Sequence, residues 1–248
     1  MSEGKVYLIG AGPGDMGLMT IKGMELLRQA DVVMYDALAN PDLLKECKEG
    51  AELIDAGKRG GDHHLRQWQT NELLVKYAKE GKMVVRLKGG DPFLFGRGAE
   101  EAEELRKAGA DVHVVPGVSS SISVPELAGI PVTHRDHTSL VTFITGHEKD
   151  DRTEDRVDWK KLVGGHGTLV ILMGLGNAAH ISSELIAGGM SPDMPAAIIC
   201  SGSTPKQRIE VTCVADLAKT ISEKALEPPG IMVIGSVAKL HEVLGDLR

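Results

Sequence analysis

Aromatic side chains are few in this 248-residue sequence: two Trp, three Tyr and three Phe, 3% of the chain. So sparse a set offers little stacking surface for single-stranded bases, and a net charge of −7 argues against a general nucleic-acid binder. Cysteine is scarce too. Cys47, Cys200 and Cys213 form no C-x-x-C pair, and their odd number at this length predicts reduced structural thiols in a cytoplasmic protein. No stretch approaches the roughly eighteen apolar residues of a membrane span. The opening MSEGKVYLIGAG turns glycine-rich too early for a signal peptide, and no G-x-S-x-G nucleophile elbow occurs. Histidine gives no metal pattern: His63 and His64 are adjacent, and His134 and His137 share a stretch that Pro131 and β-branched neighbours predict as a loop. Metal, nucleic acid and membrane are therefore not expected as partners.

Short apolar runs rich in β-branched residues alternate with helical patterns along the whole length. KVYLIG (5–10), DVVMYD (31–36), MVVRLKG (83–89) and DVHVVPG (111–117) precede a proline-punctuated break. SLVTFITG (139–146), GTLVILMG (167–174), AAIICSG (196–202), QRIEVT (207–212) and GIMVIGS (230–236) follow it. The alternation predicts an α/β protein with largely parallel sheets covered by helices on both faces. Nine strands are many for one sheet, so two αβα domains are expected, 1–115 and 116–248, divided near Pro116. The acidic run Glu100, Glu101, Glu103 and Glu104 reads as a solvated helix face.

Strand after strand exits into small or acidic residues: Gly10-Ala11-Gly12, Asp36, Gly89-Gly90-Asp91, Pro116-Gly117, Gly146, Gly174, Ser201-Gly202 and Gly235-Ser236. Ligands of open α/β sheets bind beyond the carboxyl ends of strands, and bare main chain there admits close approach. VYLIGAGPGDMG (6–17) looks at first like a dinucleotide fingerprint. Gly10 and Gly12 fit G-x-G-x-x-G, but Asp15 occupies the third glycine position and Pro13 has no N–H for a pyrophosphate. The turn suits a ligand without phosphates, and a cationic one better still. RLKGGDPFLFGRG (86–98) adds a second glycine turn with a carboxylate, Asp91, and two of the three phenylalanines, Phe93 and Phe95. Alone, that loop fits a flat ligand such as adenosine no better than it fits a structural turn.

GAGPGD, VVMYDALANP, GKRGGDHH, VVRLKGGDPFLFGRGAEEAEEL, VVPGVSS, AGIPVTHR, TGHE and VILMGLGN follow one another in an order that resembles the tetrapyrrole methylase family. The similarity runs from about Val6 to the last strand and is greatest to the branch acting on uroporphyrinogen III. It implies two α/β domains with S-adenosylmethionine in the cleft between them, a homodimer, and methylation of uroporphyrinogen III at C2 and C7. The products implied are precorrin-2, an early intermediate of sirohaem- and cobalamin-type biosynthesis, and S-adenosylhomocysteine.

Carried over motif by motif, the cofactor contacts implied are Pro13, Gly89, Gly90, Asp91, Leu94, Ser119, Ser120 and Met173, with Gly202 and Gly230 on a looser match. The family's usual Thr-Ala is Ser-Ser at 119–120. Asp36 matches the family's proton acceptor and Lys58 its proton donor. A substrate with eight carboxylates needs cations despite the acidic whole, and arginine's planar fork pairs with carboxylates through two bonds. Lys58 and Arg59 head the substrate contacts so expected, followed by Arg66, Arg97 and Arg135.

Overall fold

Five runs of the first half form a parallel sheet in the order β3-β2-β4-β1-β5, comprising β1 (Lys5–Gly10), β2 (Val32–Tyr35), β3 (Glu52–Asp55), β4 (Val84–Lys88) and β5 (Asp111–Val115). The computed structural model describes residues 4–57, 67–146, 157–165 and 167–248. The chain divides into two units, Met1–Ser120 and Ser121–Arg248. In the first, the strand period of two sorts side chains cleanly between layers. Val6, Leu8, Val32, Met34 and Val84 pack with Leu74 and Tyr77 of α2 (Gln67–Lys79) and Leu105 of α3 (Gly98–Lys107). Ile9, Val33, Val85, Leu87 and Val115 face the other way, against Leu27 of α1 (Ile21–Leu27) and Leu43. Each fully buried side chain of this size contributes about 1.5–3 kcal/mol, so two such faces hold the sheet firmly.

The second unit contains α4 (its helix runs Ser120–Leu127), α5 (Ala178–Ala187), α6 (Leu217–Glu223) and the short α7 (His241–Leu244). Its sheet runs β6-β7-β10-β8-β9, from β6 (Val141–Thr145), β7 (Thr168–Leu172), β8 (Pro195–Cys200), β9 (Arg208–Cys213) and β10 (Gly230–Ile234). Only β6 and β7 pair in parallel; β10 runs antiparallel to β7 and β8, and β8 to β9. The parallel expectation thus holds throughout the first sheet, while the second is mixed. The reason lies in the connection: the turn from Ser201 to Gln207 is too short for a crossover and returns the chain antiparallel. Ile171, Ile198, Met232 and Ile234 meet Ile181 and Leu185 of α5 on one face, and Val170, Ala197, Ile199 and Val233 meet Val124 and Val237 on the other.

Candidate functional site

Because the first sheet is wholly parallel, every strand exit lies on one edge, and the turns there brace one another. Gly12 N–H donates to Gly90 O at 3.2 Å and Gly90 N–H to Gly12 O at 2.7 Å. A β-carbon on Gly10 would lie 2.5 Å from both Gly117 Cα and Gly90 O, so three exits touch through main chain alone. These glycines admit neighbouring backbone, which accounts for part of the pattern that the sequence suggested was for a ligand. Asp91 ties the same edge together. Its Oδ1 accepts from Phe93 N–H (2.9 Å) and Leu94 N–H (3.0 Å), and its Oδ2 from Gly117 N–H (3.2 Å). Asp15 likewise caps its own turn through Gly17 N–H at 2.8 Å. Phe95 and Arg97 hold left-handed backbone (φ 55° and 60°), and Phe93 and Phe95 are exposed. Such conformations cost of order 1–3 kcal/mol for a non-glycine residue and cluster at functional loops. Pro13 and Leu94 are half-buried, as are Ser119 and Ser120, which lead from Gly117 into α4.

Asp36 closes the other side of this edge and belongs to a buried charge network. Met34, Asp36, Arg86 and Lys88 continue the strand parity of Val32 and Val84, so all face α3. Arg86 Nη2 donates to Asp36 Oδ1 at 2.5 Å, and Arg86 Nε to Glu101 Oε1 at 3.2 Å. Lys88 Nζ lies 3.2 Å from both Glu101 oxygens and 3.7 Å from Asp36 Oδ2. Gln67 Nε2 donates a further bond to Glu101 Oε1 at 2.9 Å. The Arg86, Lys88 and Glu101 side chains are 4%, 4% and 0% exposed, whereas Asp36 is 28% exposed, so this carboxylate is where the network meets the surface. Burial, reinforced by the Arg86 charge, pushes the Lys88 ammonium below its ordinary value, and Asp36 and Glu101 only partly offset this. Glu101 corrects the sequence reading: Glu100, Glu103 and Glu104 are solvated, but Glu101 is fully buried in the first turn of α3. The signal was present in VVRLK, where two cations at alternate positions of a buried strand demand buried anions.

Antiparallel pairing decides which residues meet at the corresponding edge of the second sheet. Gly230 opens β10 opposite Cys200, the last residue of β8, and Ile231 lies opposite Leu172, the last of β7. Met173, Gly202 and Gly230 are therefore brought to one edge, together with Gly146 and Gly174. Gly235-Ser236 leaves β10 at the opposite edge, beside Thr168, which removes that exit from the expected cluster. Met173 is exposed with φ 56°, and Ser201 and Ser203 are also left-handed. Gly202 and Gly230 have no room for a side chain: a β-carbon would fall 2.3 Å from Val124 Cγ1 and 2.5 Å from Leu175 Cδ1 respectively.

Of the expected substrate and proton-donor residues, Lys58, Arg59 and Arg66 lie outside the described residues. Gly57, the residue before Lys58, packs on Ala37, the residue after Asp36. Arg97 is exposed at the start of α3 and pairs with Glu100 at 2.7 Å; Arg135 is exposed in the 131–140 loop. Among the described residues no group of three or more His, Cys, Asp or Glu is arranged to hold a metal ion. None of the described helices is long and apolar enough to cross a membrane.

Residues 5–218 match the family model for tetrapyrrole (corrin/porphyrin) methylases. An S-adenosyl-L-methionine-dependent uroporphyrinogen III methyltransferase of Methanosarcina barkeri is 48% identical over 245 residues, 99% of this chain and 96% of that protein. A siroheme synthase of Actinobacillus pleuropneumoniae is 48% identical over 97% of this chain, which spans 49% of that longer protein. Among solved structures, a Thermus thermophilus uroporphyrin-III C-methyl transferase complexed with S-adenyl homocysteine superposes with a TM-score of 0.80 at 35% identity, covering 96% of this chain and 100% of that one. With its family motif spanning both sheets and its fold shared with such an enzyme, the chain belongs to the tetrapyrrole methylase family.

Proposed function

We propose that this chain is an S-adenosylmethionine-dependent C-methyltransferase that methylates uroporphyrinogen III at C2 and C7, giving precorrin-2 and S-adenosylhomocysteine. The observation that carries the proposal is its near-complete overlap with the Methanosarcina barkeri methyltransferase. The donor set at the first-sheet edge agrees with it. GAGPGD (10–15) and GGDPFLF (89–95) contain no cation to hold a phosphate; they offer main chain, exposed phenyl rings and carboxylates, which suit a nucleoside bearing a positive sulfur. Pro13, Gly89, Gly90, Asp91, Leu94, Ser119, Ser120, Met173, Gly202 and Gly230 are the proposed contacts. When bound, S-adenosylmethionine supplies a methyl group already activated by its sulfonium.

The residues then have two tasks. One is alignment of a pyrrole carbon with that methyl group, for which positioning contributes roughly 7–11 kcal/mol. The other is proton transfer: each new carbon–carbon bond leaves the S–C electron pair on sulfur and releases one proton from the macrocycle. Asp36, the exposed end of its network, accepts that proton in this reading, and Lys58 donates one to a ring position whose own proton is lost to solvent, so that one proton leaves in net per methyl group; such groups contribute about 10²–10⁴-fold. Arg59, Arg66, Arg97 and Arg135 are the proposed partners of the substrate carboxylates. A metal-free cytoplasmic homodimer engaging neither nucleic acid nor membrane completes the proposal.

The test pairs calorimetric titration with S-adenosylmethionine and transfer of labelled methyl groups to uroporphyrinogen III, followed by the absorbance of the oxidised dimethylated product. Saturable binding and two methyl groups per macrocycle are expected. Label reaching only a later corrinoid would reassign the substrate, and binding without transfer to any porphyrinogen would leave a binding module.

A further inference from the structure

Glu101 has no place in the reaction as drawn, yet it is the most deeply buried charge of the first unit's network. Its Oε2 makes no hydrogen bond although Lys88 Nζ stands 3.2 Å away. Buried ion pairs are poor stabilisers, because desolvation offsets their attraction and well-packed apolar residues of similar volume serve as well or better. A strand that alternates Val84, Arg86 and Lys88 toward α3 therefore calls for an explanation other than stability. The geometry supplies one. Arg86 is immobilised on every side: Nε on Glu101, Nη1 3.4 Å from the Met34 and Leu87 carbonyls, and Nη2 on Asp36. Glu101 sits in the first turn of α3, where the helix dipole favours an anion, and it holds Arg86 and Lys88 on one side while Asp36 occupies the other. Two anions and two cations balance, and only one member reaches the surface.

We propose that Glu101 is a positioning residue which, through Arg86 and Lys88, fixes the Asp36 carboxylate in the orientation that proton acceptance requires. The inference rests on the reading of Asp36 given above. Lysine at position 86 would keep the charge but not the fork that reaches Glu101 and Asp36 together.

The test is a double-mutant cycle on the full chain, with S-adenosylmethionine titration as the check on folding. Glu101→Gln is expected to lower kcat by about ten-fold or more at an unchanged KM for uroporphyrinogen III, and Glu101→Asp to restore part of the loss. In an Asp36→Asn background Glu101→Gln is expected to add less than about two-fold, because residues acting through one group do not add. A crystal structure of Glu101→Gln is expected to show the Asp36 carboxylate displaced from Arg86. Arg86→Lys repeats the cycle should Glu101→Gln fail to bind the cofactor. An unchanged kcat, a full multiplicative loss in the Asp36→Asn background, or an undisturbed Asp36–Arg86 pair in a slow variant would each overturn the positioning role. An Asp36→Asn enzyme as fast as the parent would instead remove the acceptor reading itself, and the positioning role with it.

Discussion

Both oxygens of Asp91 are engaged by main chain, and this changes what its removal tests. Its carboxylate holds the 91–94 turn through two N–H groups and reaches across to Gly117 on the next strand exit. Asp91→Ala leaves all three donors without that partner, and each lost bond to a charged acceptor is worth about 1.5–3 kcal/mol before water substitutes. The variant is expected to fold but to bind S-adenosylmethionine about ten-fold or more weakly, as measured by calorimetry. Asp91→Asn, which keeps one carbonyl acceptor, is expected to fall between the two. An Asp91→Ala protein of unchanged affinity would remove this turn from the proposed site. The sequence marked Asp91 by its place in GGDP, but the backbone partners were not legible, since Gly117 lies 26 positions away. Glu101 was misread for a related reason: a run of four glutamates looks solvated, and although the cations of VVRLK call for a buried anion, it is the helix period against Leu105 that picks out which glutamate supplies it.

At the scale of elements, the amino ends of three parallel strands are gathered by one residue, through its carboxylate and its main-chain carbonyl. Asp31, just before β2, accepts from Met83 N–H (2.8 Å) before β4 and from Lys48 Nζ (2.6 Å), while its carbonyl accepts from Glu52 N–H of β3 (2.9 Å). The Lys48 hydrogen bond, then that from Met83, hold the Asp31 carboxyl below its ordinary value against the opposing effect of burial. A carboxyl depressed on folding stabilises above its unfolded pKa of about 3.9 and loses that contribution as pH falls through the lower folded value. Asp31→Asn is therefore expected to lower the unfolding free energy at neutral pH by less than about 1 kcal/mol, because the pair is partly exposed and screened. The difference from the parent is expected to vanish in acid, below the folded value. A deficit of equal size at both pH values would show that charge is not the cause. β3 itself went unseen in the sequence because ELID is short, mostly exposed and flanked by Gly50 and Gly57, with none of the apolar continuity of the interior strands. The interior strands β1, β4, β7, β8 and β10 were legible because they are buried on both faces; the mixed pairing of the second sheet was not, since strand direction is decided by connections rather than by composition.

For the molecule as a whole, the decisive choice is between a phosphate-bearing cofactor and a sulfonium nucleoside, since both fit an α/β protein that opens with a glycine turn. Pro13 and Asp15 already spoke against the first, and the structure gives Asp15 a local capping bond where a dinucleotide fingerprint has its third glycine. Linkage turns that choice into a measurement on the intact chain. A ligand that binds only the folded state at 100 times its dissociation constant stabilises it by about 2.7 kcal/mol. For a chain of this length each kcal/mol moves the midpoint by about 2–4 °C, so saturating S-adenosylhomocysteine is expected to raise it by roughly 5–10 °C. NADH at the same concentration is expected to leave the midpoint unmoved, and Asp91→Ala to shrink the shift given by the nucleoside. A rise with NADH and none with S-adenosylhomocysteine would reverse the assignment of the glycine turns, because the same bare main chain would then be serving a pyrophosphate.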